Sequence, residues 1–291
     1  MIISDDTRPL NHISGPWFVK AGLDVCRENL LNSRRVRLLY QNYIKRKASG
    51  SPFAYSIYRG GFGLLYRPSG DKAGNRLYCA DMVITYHDGQ CFKVTHGDTT
   101  VVFDPVSKQS KQFTPVKFGA DVAIVSMRHP DFMGVQEVTY GNKEPFVVNG
   151  PGEYEVGEIT VRGFGVPTEY DGTTRYTTVY QVVMEGMAIV FLGALSSPEQ
   201  LDVKILGELG TIDILFVPIG GGDVLEVPQA SKLAVKLEAK CVIPMHYNAT
   251  ALKAFLEEES SEGVKPVDKV TLKKKDINDM TGQIIVLQVK K

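Results

Sequence analysis

The sequence predicts an α/β fold in which mixed β-sheets lie at the centre and helices lie outside. Residues 82–192 consist mainly of short segments rich in β-branched residues, separated by turn residues. Residues 197–260 instead alternate between helical and strand patterns. Strands followed by strand–helix alternation are typical of sheets covered by helices. The 291-residue chain is 43% hydrophobic and 23% charged, as expected for a globular protein with a substantial core.

Alternating patterns predict a series of strands in the first part of this region. Asp-Gly and Gly-Asp pairs at residues 88–89 and 97–98 suit tight turns between the first three strands. Glu185-Gly186 marks a later hairpin in the same way. The run at residues 122–125 is apolar throughout, which predicts a strand buried on both faces. The predicted strands cover residues 83–86, 91–94, 99–105, 122–126, 146–148, 158–162, 177–184 and 188–192.

Helices enter the pattern after residue 196. Ser197 can cap a helix, Pro198 fits its first turn, and Gln200 can reach back to complete a capping box. We therefore expect one helix from Ser197 to Leu209. Further helices are expected over residues 228–239 and 250–258, with strands over residues 212–218, 241–244, 269–272 and 284–287.

The charge distribution predicts a boundary near residue 81. Residues 1–81 carry nine Arg and four Lys against five Asp and one Glu, a net charge of +7, and residues 82–291 therefore carry −7. Such an asymmetry is typical of a chain with two differently composed parts. We expect residues 1–81 to be a basic N-terminal extension and residues 82–291 to form the main domain.

Three interpretations of the extension stay open. A basic cluster at residues 34–37 and 45–47 lies on a possible helix over residues 24–47, and it would suit nucleic acid or another anionic surface. The same residues would also suit a solvated helix face or a poorly ordered extension. A third interpretation is a misassigned start, because Met82 opens what looks like the first strand of the domain. The sequence indicates no other binding partner.

Several classes of protein are not indicated. No apolar run reaches about 18 residues, so a membrane span is not expected. The four cysteines are scattered and form no Cys-x-x-Cys pair, which argues against a zinc ribbon or a redox motif. The first residues lack the basic start and apolar core of a signal peptide. We therefore expect a cytoplasmic protein.

Potential metal ligands follow two of the predicted strands. His129 and Asp131 lie in the loop directly after the strand at 122–126, and His246 follows the strand at 241–244. Because loops at strand ends commonly carry the chemistry of such folds, the three side chains are candidates for one common site. Imidazole nitrogens and carboxylate oxygens are ligands that zinc prefers.

The spacing of this loop resembles the signature of the metallo-β-lactamase superfamily, Thr-His-x-His-x-Asp-His. His129 and Asp131 match the signature, whereas Met127 stands at the first His position and Phe132 at the last. The resemblance covers roughly residues 82–260 and is greatest to bacterial metal-dependent hydrolases that include ascorbate-phosphate lactonase-like proteins. It implies a four-layer αββα sandwich. Its other supports are Phe103-Asp104-Pro105, Phe191-Leu192-Gly193, Val217-Pro218-Ile219-Gly220-Gly221 and Ile243-Pro244-Met245-His246-Tyr247.

The resemblance also implies two zinc ions and a bridging hydroxide, but this chain lacks most of their ligands. Of about seven family ligands, only His129, Asp131 and His246 match. Ala194 stands where a bridging Asp would follow Gly193, and no His lies near residues 168–170. Phe132 would place a bulky ring where a metal would sit.

Two functional hypotheses follow. In the first, the protein keeps the fold, has lost family-type hydrolysis and works as a binding or scaffold module. In the second, His129, Asp131 and His246 hold one zinc or other divalent ion, with Asp131 as the catalytic candidate, and the protein hydrolyses an ester, lactone or phosphodiester. Structural roles for the three residues also stay open: a loop hydrogen bond for His129, a helix cap for Asp131 and a half-buried position for His246.

Overall fold

The computed structural model describes residues 81–290 and, as backbone strands, two segments of the extension. These are β1 (Ala54–Tyr58) and β2 (Gly61–Leu65), which pair as an antiparallel hairpin. Contacts divide the chain into two compact units, Met1–Leu77 and Tyr78–Lys291. The helix expected over residues 24–47 and the basic cluster on it lie outside the described residues. The boundary near residue 81 stays a prediction.

Two mixed sheets form the centre of the larger unit, as the sequence predicts. Within residues 81–290, one sheet has six strands in the order β14-β3-β4-β5-β6-β7 and the other has seven in the order β15-β13-β12-β11-β10-β9-β8. The strands are β3 (Met82–Tyr86), β4 (Phe92–His96), β5 (Thr99–Phe103), β6 (Val122–Val125), β7 (Phe146–Asn149), β8 (Gly152–Val156), β9 (Ile159–Tyr170), β10 (Thr173–Met184), β11 (Met187–Phe191), β12 (Ile214–Pro218), β13 (Cys241–Met245), β14 (Val270–Leu272) and β15 (Gln283–Ile284).

Helices cover the outer face of the seven-stranded sheet. They are α1 (Val203–Leu209), α2 (Val227–Lys236) and α3 (Ala249–Glu258), which pack apolar residues against that face. A further helix, α4 (Lys274–Asn278), instead buries Ile277 in the core between the sheets. The inner faces of the two sheets share one core, in which Phe92 and Phe103 meet Phe216 at ring-centroid distances of 4.3 and 5.7 Å. This arrangement is the expected layered sandwich.

The outer layer over the six-stranded sheet differs from a helical layer. It consists mainly of two irregular segments on either side of β6, residues 104–121 and 126–138, and the second ends in a 3-10 turn at Val135–Val138. Val116, Ala120 and Val138 of these segments pack on Val102 and Ala123 of the sheet. The first segment matters for the site because it brings Ser110 and Phe113 toward the strand ends.

Most predicted elements are present, but β8 (Gly152–Val156) was not predicted and two helical regions differ from the prediction. The hairpin around Glu185-Gly186 joins β10 and β11 in antiparallel register. The single helix expected from Ser197 to Leu209 is wrong: a 3-10 turn at Pro198–Gln200 carries the predicted capping box, and Leu201 then turns extended before Asp202 caps α1. Helix α4 was not predicted, and its exposed Lys274 donates a hydrogen bond to the buried Asp213 carboxylate. None of the helices in the described part of the chain could cross a membrane.

Candidate functional site

The loop after β6 is held firmly at both ends. Strand β6 is buried along its whole length and pairs in parallel with β5 and β7. At the far end of the loop, the Gly134 nitrogen donates a 2.6 Å hydrogen bond to the carbonyl of Pro105. A Cβ atom at Gly134 would lie 2.5 Å from the Val106 backbone, so only glycine fits there. The loop therefore presents its side chains from a fixed backbone.

The Asp131 carboxylate is buried and already has hydrogen-bond donors on both oxygens. The Ser110 hydroxyl donates to Oδ1 over 2.6 Å, and the Tyr170 hydroxyl donates to Oδ2 over 2.9 Å. Only 1% of Asp131 is exposed. The suggested helix cap is wrong, because the next helical turn begins at Val135 and receives no side-chain cap. Asp131 instead joins three segments of the fold.

His129 lies beside Asp131. Its Nδ1 atom is 3.3 Å from Oδ2 of Asp131 and accepts a 3.3 Å hydrogen bond from the Asp131 backbone nitrogen. Its Nε2 atom lies 3.8 Å from the exposed Asp171 carboxylate. The suggested hydrogen bond from His129 to a loop carbonyl is therefore not what the structure shows, since both nitrogens face Asp residues.

His246 reaches the same region from the end of β13. Its backbone is left-handed, with φ of 52°, and its nitrogen donates a 2.7 Å hydrogen bond to the Gly89 carbonyl. The Nδ1 atom is 3.0 Å from Nε2 of the fully buried Gln90, whose Oε1 has no partner among the described residues. Burial lowers the pKa of His246 to about 4, and the nearby Asp131 carboxylate opposes this shift. His246 is therefore neutral at pH 7.

A tightly packed apolar cluster lies between these polar residues, and we call it the plug. Within it, the Phe132 and Tyr170 rings meet edge to face at a centroid distance of 5.0 Å. His129 and His246 lie around it, with ring centroids 5.1 and 6.1 Å from Tyr170. No member is more than 3% exposed. The plug consists of Met127, Phe132, Tyr170, Ala194 and Val224.

Local backbone geometry delivers Ala194 to the plug. Gly193 has a positive φ of 59°, and a Cβ atom there would come within 2.8 Å of the Thr177 hydroxyl. The Thr177 hydroxyl also accepts a 3.3 Å hydrogen bond from the Ala194 nitrogen, and the Thr168 hydroxyl donates over 2.7 Å to the Ala194 carbonyl. The strand end is therefore built to aim residue 194 inward, where a small apolar side chain now packs.

The plug gathers the positions at which the family signature would place its missing ligands. Met127 and Phe132 replace two His residues of the signature, Ala194 replaces the bridging Asp, and Tyr170 lies in the segment expected to supply a further His. The replacements contact one another, so they form one alternative packing arrangement. Sequence reasoning did not single out Tyr170, Ser110 or Gln90, since each acts through a partner far away in the chain.

The donor atoms present do not fit a two-metal centre. No group of three or more His, Cys, Asp or Glu side chains within residues 81–290 is placed to hold a metal ion. Both Asp131 oxygens accept hydrogen bonds, and Phe132 fills the space between the surviving donors. The Gln90 amide lies 3.0 Å from Nδ1 of His246 and fixes the orientation of that ring. The ligand roles of His129, Asp131 and His246 stay predictions.

A cavity opens beside His246, and we call it the mouth cavity. It has a volume of about 430 Å³. Phe113 forms one wall by packing edge-on against the His246 ring at 5.1 Å, and the glycine-rich loop at residues 220–222 forms another. The nearby Asp223 carboxylate adds negative charge, and with burial and Asp131 it raises the pKa of Tyr170. The cavity is large enough for a small molecule.

Two mixed sheets, outer helices and a candidate site at the strand ends define a metallo-β-lactamase-like sandwich. The chain belongs to the beta-lactamase superfamily, because the model of the beta-lactamase superfamily domain matches residues 83–246, more than half of the sequence. The superfamily expected from the signature is therefore confirmed.

Relatives and solved structures agree with this membership. The UPF0173 metal-dependent hydrolase lin1612 of Listeria innocua is 26% identical over 219 residues, which cover 65% of this chain and 93% of the relative. The UPF0173 metal-dependent hydrolase YtkL of Bacillus subtilis is 28% identical over 57% of this chain and 86% of its own length. A candidate Zn-dependent hydrolase of the metallo-beta-lactamase superfamily from Thermotoga maritima superposes with a TM-score of 0.57 and 28% identity, covering 72% of this chain and all of that one.

These names bear differently on the two functional hypotheses. They do not support the first hypothesis, that hydrolysis has been lost, and they fit the second, a metal-dependent hydrolase, better. A metal-dependent family implies a divalent ion, whereas neither the metal nor the number of ions follows from the names. The absence of most metal ligands of the family, by contrast, is read from the residues of this chain itself.

Proposed function

We propose that this protein binds a small ligand at the mouth of the sandwich without the two-metal hydrolysis of its superfamily, and that single-metal hydrolysis is the second candidate. One observation carries the first proposal: Phe132, fully buried, packs with Tyr170 at the positions where metal ligands would be needed. A close-packed apolar cluster leaves no room for hydrated ions. The mouth cavity beside it remains open to a ligand.

Metal content tests this proposal directly. The full-length protein, purified after growth with added zinc, is expected to be folded and to contain much less than one equivalent of zinc. Treatment with a chelator is expected to leave its melting temperature unchanged, because on this proposal the fold does not depend on an ion. Stoichiometric zinc in the folded protein would contradict the proposal.

Single-metal hydrolysis is the second candidate because the relatives' names and one distance favour it. His129 Nδ1 and Asp131 Oδ2 are 3.3 Å apart. Two neighbouring ligands on a tetrahedral zinc ion, each about 2.0–2.1 Å from it, are separated by about 3.3–3.4 Å. The pair is therefore spaced like half of a ligand set, with His246 as the third ligand on this proposal. The expected substrate is an ester, lactone or phosphodiester.

Two variants separate the candidates. Asp131→Ala and His246→Ala would each abolish bound zinc and activity if one ion is held by the three residues. On the first proposal neither variant changes the metal content, because the starting protein binds none. Unfolding curves of both variants control for misfolding, since Asp131 is buried and joins three segments.

A further inference from the structure

A second cavity, of about 450 Å³, lies on another side of the plug. It opens where Met127 and Arg128 follow β6, where β7 ends at Asn149, and where Arg175 and Tyr176 lie near the start of β10. We call it the arginine cleft. Met127 belongs to both the plug and the cleft wall, whereas His246 lines only the mouth cavity. The two cavities are therefore distinct sites.

The charged side chains that line the arginine cleft are all positive. They are Arg128 and Arg175, and no carboxylate accompanies them in the wall. Residues 81–290 contain one other arginine, Arg162, and its guanidinium pairs with Glu208 at 2.6 Å and Glu153 at 3.4 Å. Carboxylates thus neutralise Arg162, whereas neither cleft arginine forms an ion pair within residues 81–290.

Both cleft guanidinium groups keep free donors. Arg175 donates through Nε to the Tyr170 carbonyl over 3.3 Å, which fixes the side chain and leaves its two terminal nitrogens available. Arg128 is exposed and has no hydrogen bond or ion pair with any other residue that the structure describes. The partly buried Asn149 likewise makes no side-chain hydrogen bond within residues 81–290. The cleft therefore offers several unused N–H donors and two positive charges.

A phosphate group matches this set of donors. A guanidinium binds phosphate oxygens through two parallel N–H donors, and a phosphomonoester at pH 7 carries about −1.5 to −2 charge, which two arginines balance. A single carboxylate would leave one positive charge uncompensated. The volume exceeds what phosphate alone needs, and the Tyr176 ring, 74% exposed, supplies a flat apolar face for an organic part.

We infer that the arginine cleft is a binding site for a small phosphomonoester, with Arg128 and Arg175 holding the phosphate and Tyr176 contacting the organic part. The site does not involve His129, Asp131 or His246. It therefore stands whether or not the protein hydrolyses anything at the mouth cavity.

Calorimetric titration of the full-length protein tests the inference with phenyl phosphate, inorganic phosphate and benzoate as probes. Phenyl phosphate is expected to bind more tightly than inorganic phosphate, and benzoate least tightly. Arg128→Ala and Arg175→Ala are each expected to weaken phenyl phosphate binding by about 10-fold or more, since each removes charged hydrogen bonds. Arg162→Ala removes the same charge outside the cleft and is expected to leave the affinity unchanged.

The remaining variants make the result specific. Arg128→Lys and Arg175→Lys keep the positive charge but lose the two parallel N–H donors of the guanidinium, so they are expected to retain only part of the affinity. Residues 1–81 are present in every variant, so any binding by that basic segment is constant. The inference is overturned if both Ala variants bind phenyl phosphate like the starting protein while remaining folded. It is also overturned if benzoate binds best, or if single-stranded RNA competes at far lower concentrations than phenyl phosphate.

Discussion

The Tyr170 hydroxyl donates a 2.9 Å hydrogen bond to Oδ2 of Asp131, and the two side chains are 0% and 1% exposed. A carboxylate that would be a metal ligand in the family signature is thus satisfied by a phenol. Burial and the Asp131 charge raise the pKa of Tyr170, so the phenol stays protonated and continues to donate. Together with the Ser110 hydroxyl, the phenol gives each oxygen of this buried carboxylate a hydrogen-bond donor.

Removing that hydroxyl is expected to destabilise the fold. Tyr170→Phe leaves the Asp131 carboxylate with one donor fewer in a buried position, which should cost about 1–3 kcal/mol of unfolding free energy. Urea unfolding at pH 7 measures the change. Tyr140→Phe, at a ring that is 76% exposed, is the matched control and should be neutral. Equal stabilities of the two variants would show that the bond does not stabilise Asp131.

Restoring the signature is expected to create zinc binding. The variant Met127→His/Phe132→His/Tyr170→His/Ala194→Asp adds four donors around His129, Asp131 and His246, at positions that already contact one another. Zinc at about 100 times its Kd should then raise the unfolding free energy by about 2.7 kcal/mol. Changing the other three positions to Ala, as residue 194 already is, opens the same space without donors and should give no zinc effect. Failure of the restored variant to bind zinc would show that the plug positions do not converge on an ion.

Asp104 is expected to make stability fall as the pH rises. Burial raises its pKa to about 8, although Ser126 donates to both carboxylate oxygens. The unfolded chain loses this proton near pH 4 and the folded protein only near pH 8. Between these values the unfolded state is therefore favoured increasingly, by an amount on the order of a few kcal/mol.

Asp104→Asn tests this pH dependence. The amide can keep both contacts with Ser126, and Asn tolerates the positive φ of 39° at this position. We expect the variant to be more stable than the starting protein at pH 8 and to differ little at pH 4. Denaturant unfolding across this range measures the effect, with the exposed Asp98→Asn as control. Parallel pH profiles for Asp104→Asn and the starting protein would contradict the assignment.

Asp213 has the opposite dependence on pH. Its buried carboxylate accepts hydrogen bonds from Lys274 at 2.5 Å, Lys240 at 2.9 Å and the Ala188 nitrogen at 2.8 Å. Although burial alone would raise its pKa, these donors together hold it below the ordinary value. The resulting stability is present above about pH 4, the unfolded pKa, and is lost as the pH falls through the lower folded pKa.

Asp213→Asn is therefore expected to lose about 2–3 kcal/mol of unfolding free energy at pH 7 and much less at pH 3. Urea unfolding at the two pH values measures the difference. Asp268→Asn, at an exposed position, should show no such change. A loss for Asp213→Asn that is equal at both pH values would indicate a packing defect and not a lost ion pair.

Local signals in the sequence predicted the sheets and the approach of the candidate residues to one edge. The apolar strands at residues 122–125 and 241–245 are followed by His129 and His246, and the change from apolar to polar residues marks where each strand ends. The break at Leu201 was not predictable from the capping pattern, since it lies inside an apolar periodicity that continues into α1. Tertiary contacts decide the conformation there.

The composition of the plug was only partly predictable. Met127, Phe132 and Ala194 could be read from departures from the family signature, whereas Tyr170 and Ser110 could not. Their hydroxyls reach Asp131 from β9 and from the irregular segment after β5, and no local pattern encodes such long-range bonds. The sequence shows which metal ligands are missing, but only the fold shows which side chains donate hydrogen bonds to the remaining Asp131.

Strand β14, near the C-terminus, pairs with β3, which opens the six-stranded sheet, and Val289 forms a further bridge to Tyr86 of β3. During synthesis, β3 leaves the ribosome early and keeps an unpaired edge until the last residues follow. Until β14 has been synthesised, such an edge favours pairing with strands of other chains. A stalled or truncated nascent chain of this protein would therefore expose the β3 edge that β14 covers in the folded molecule.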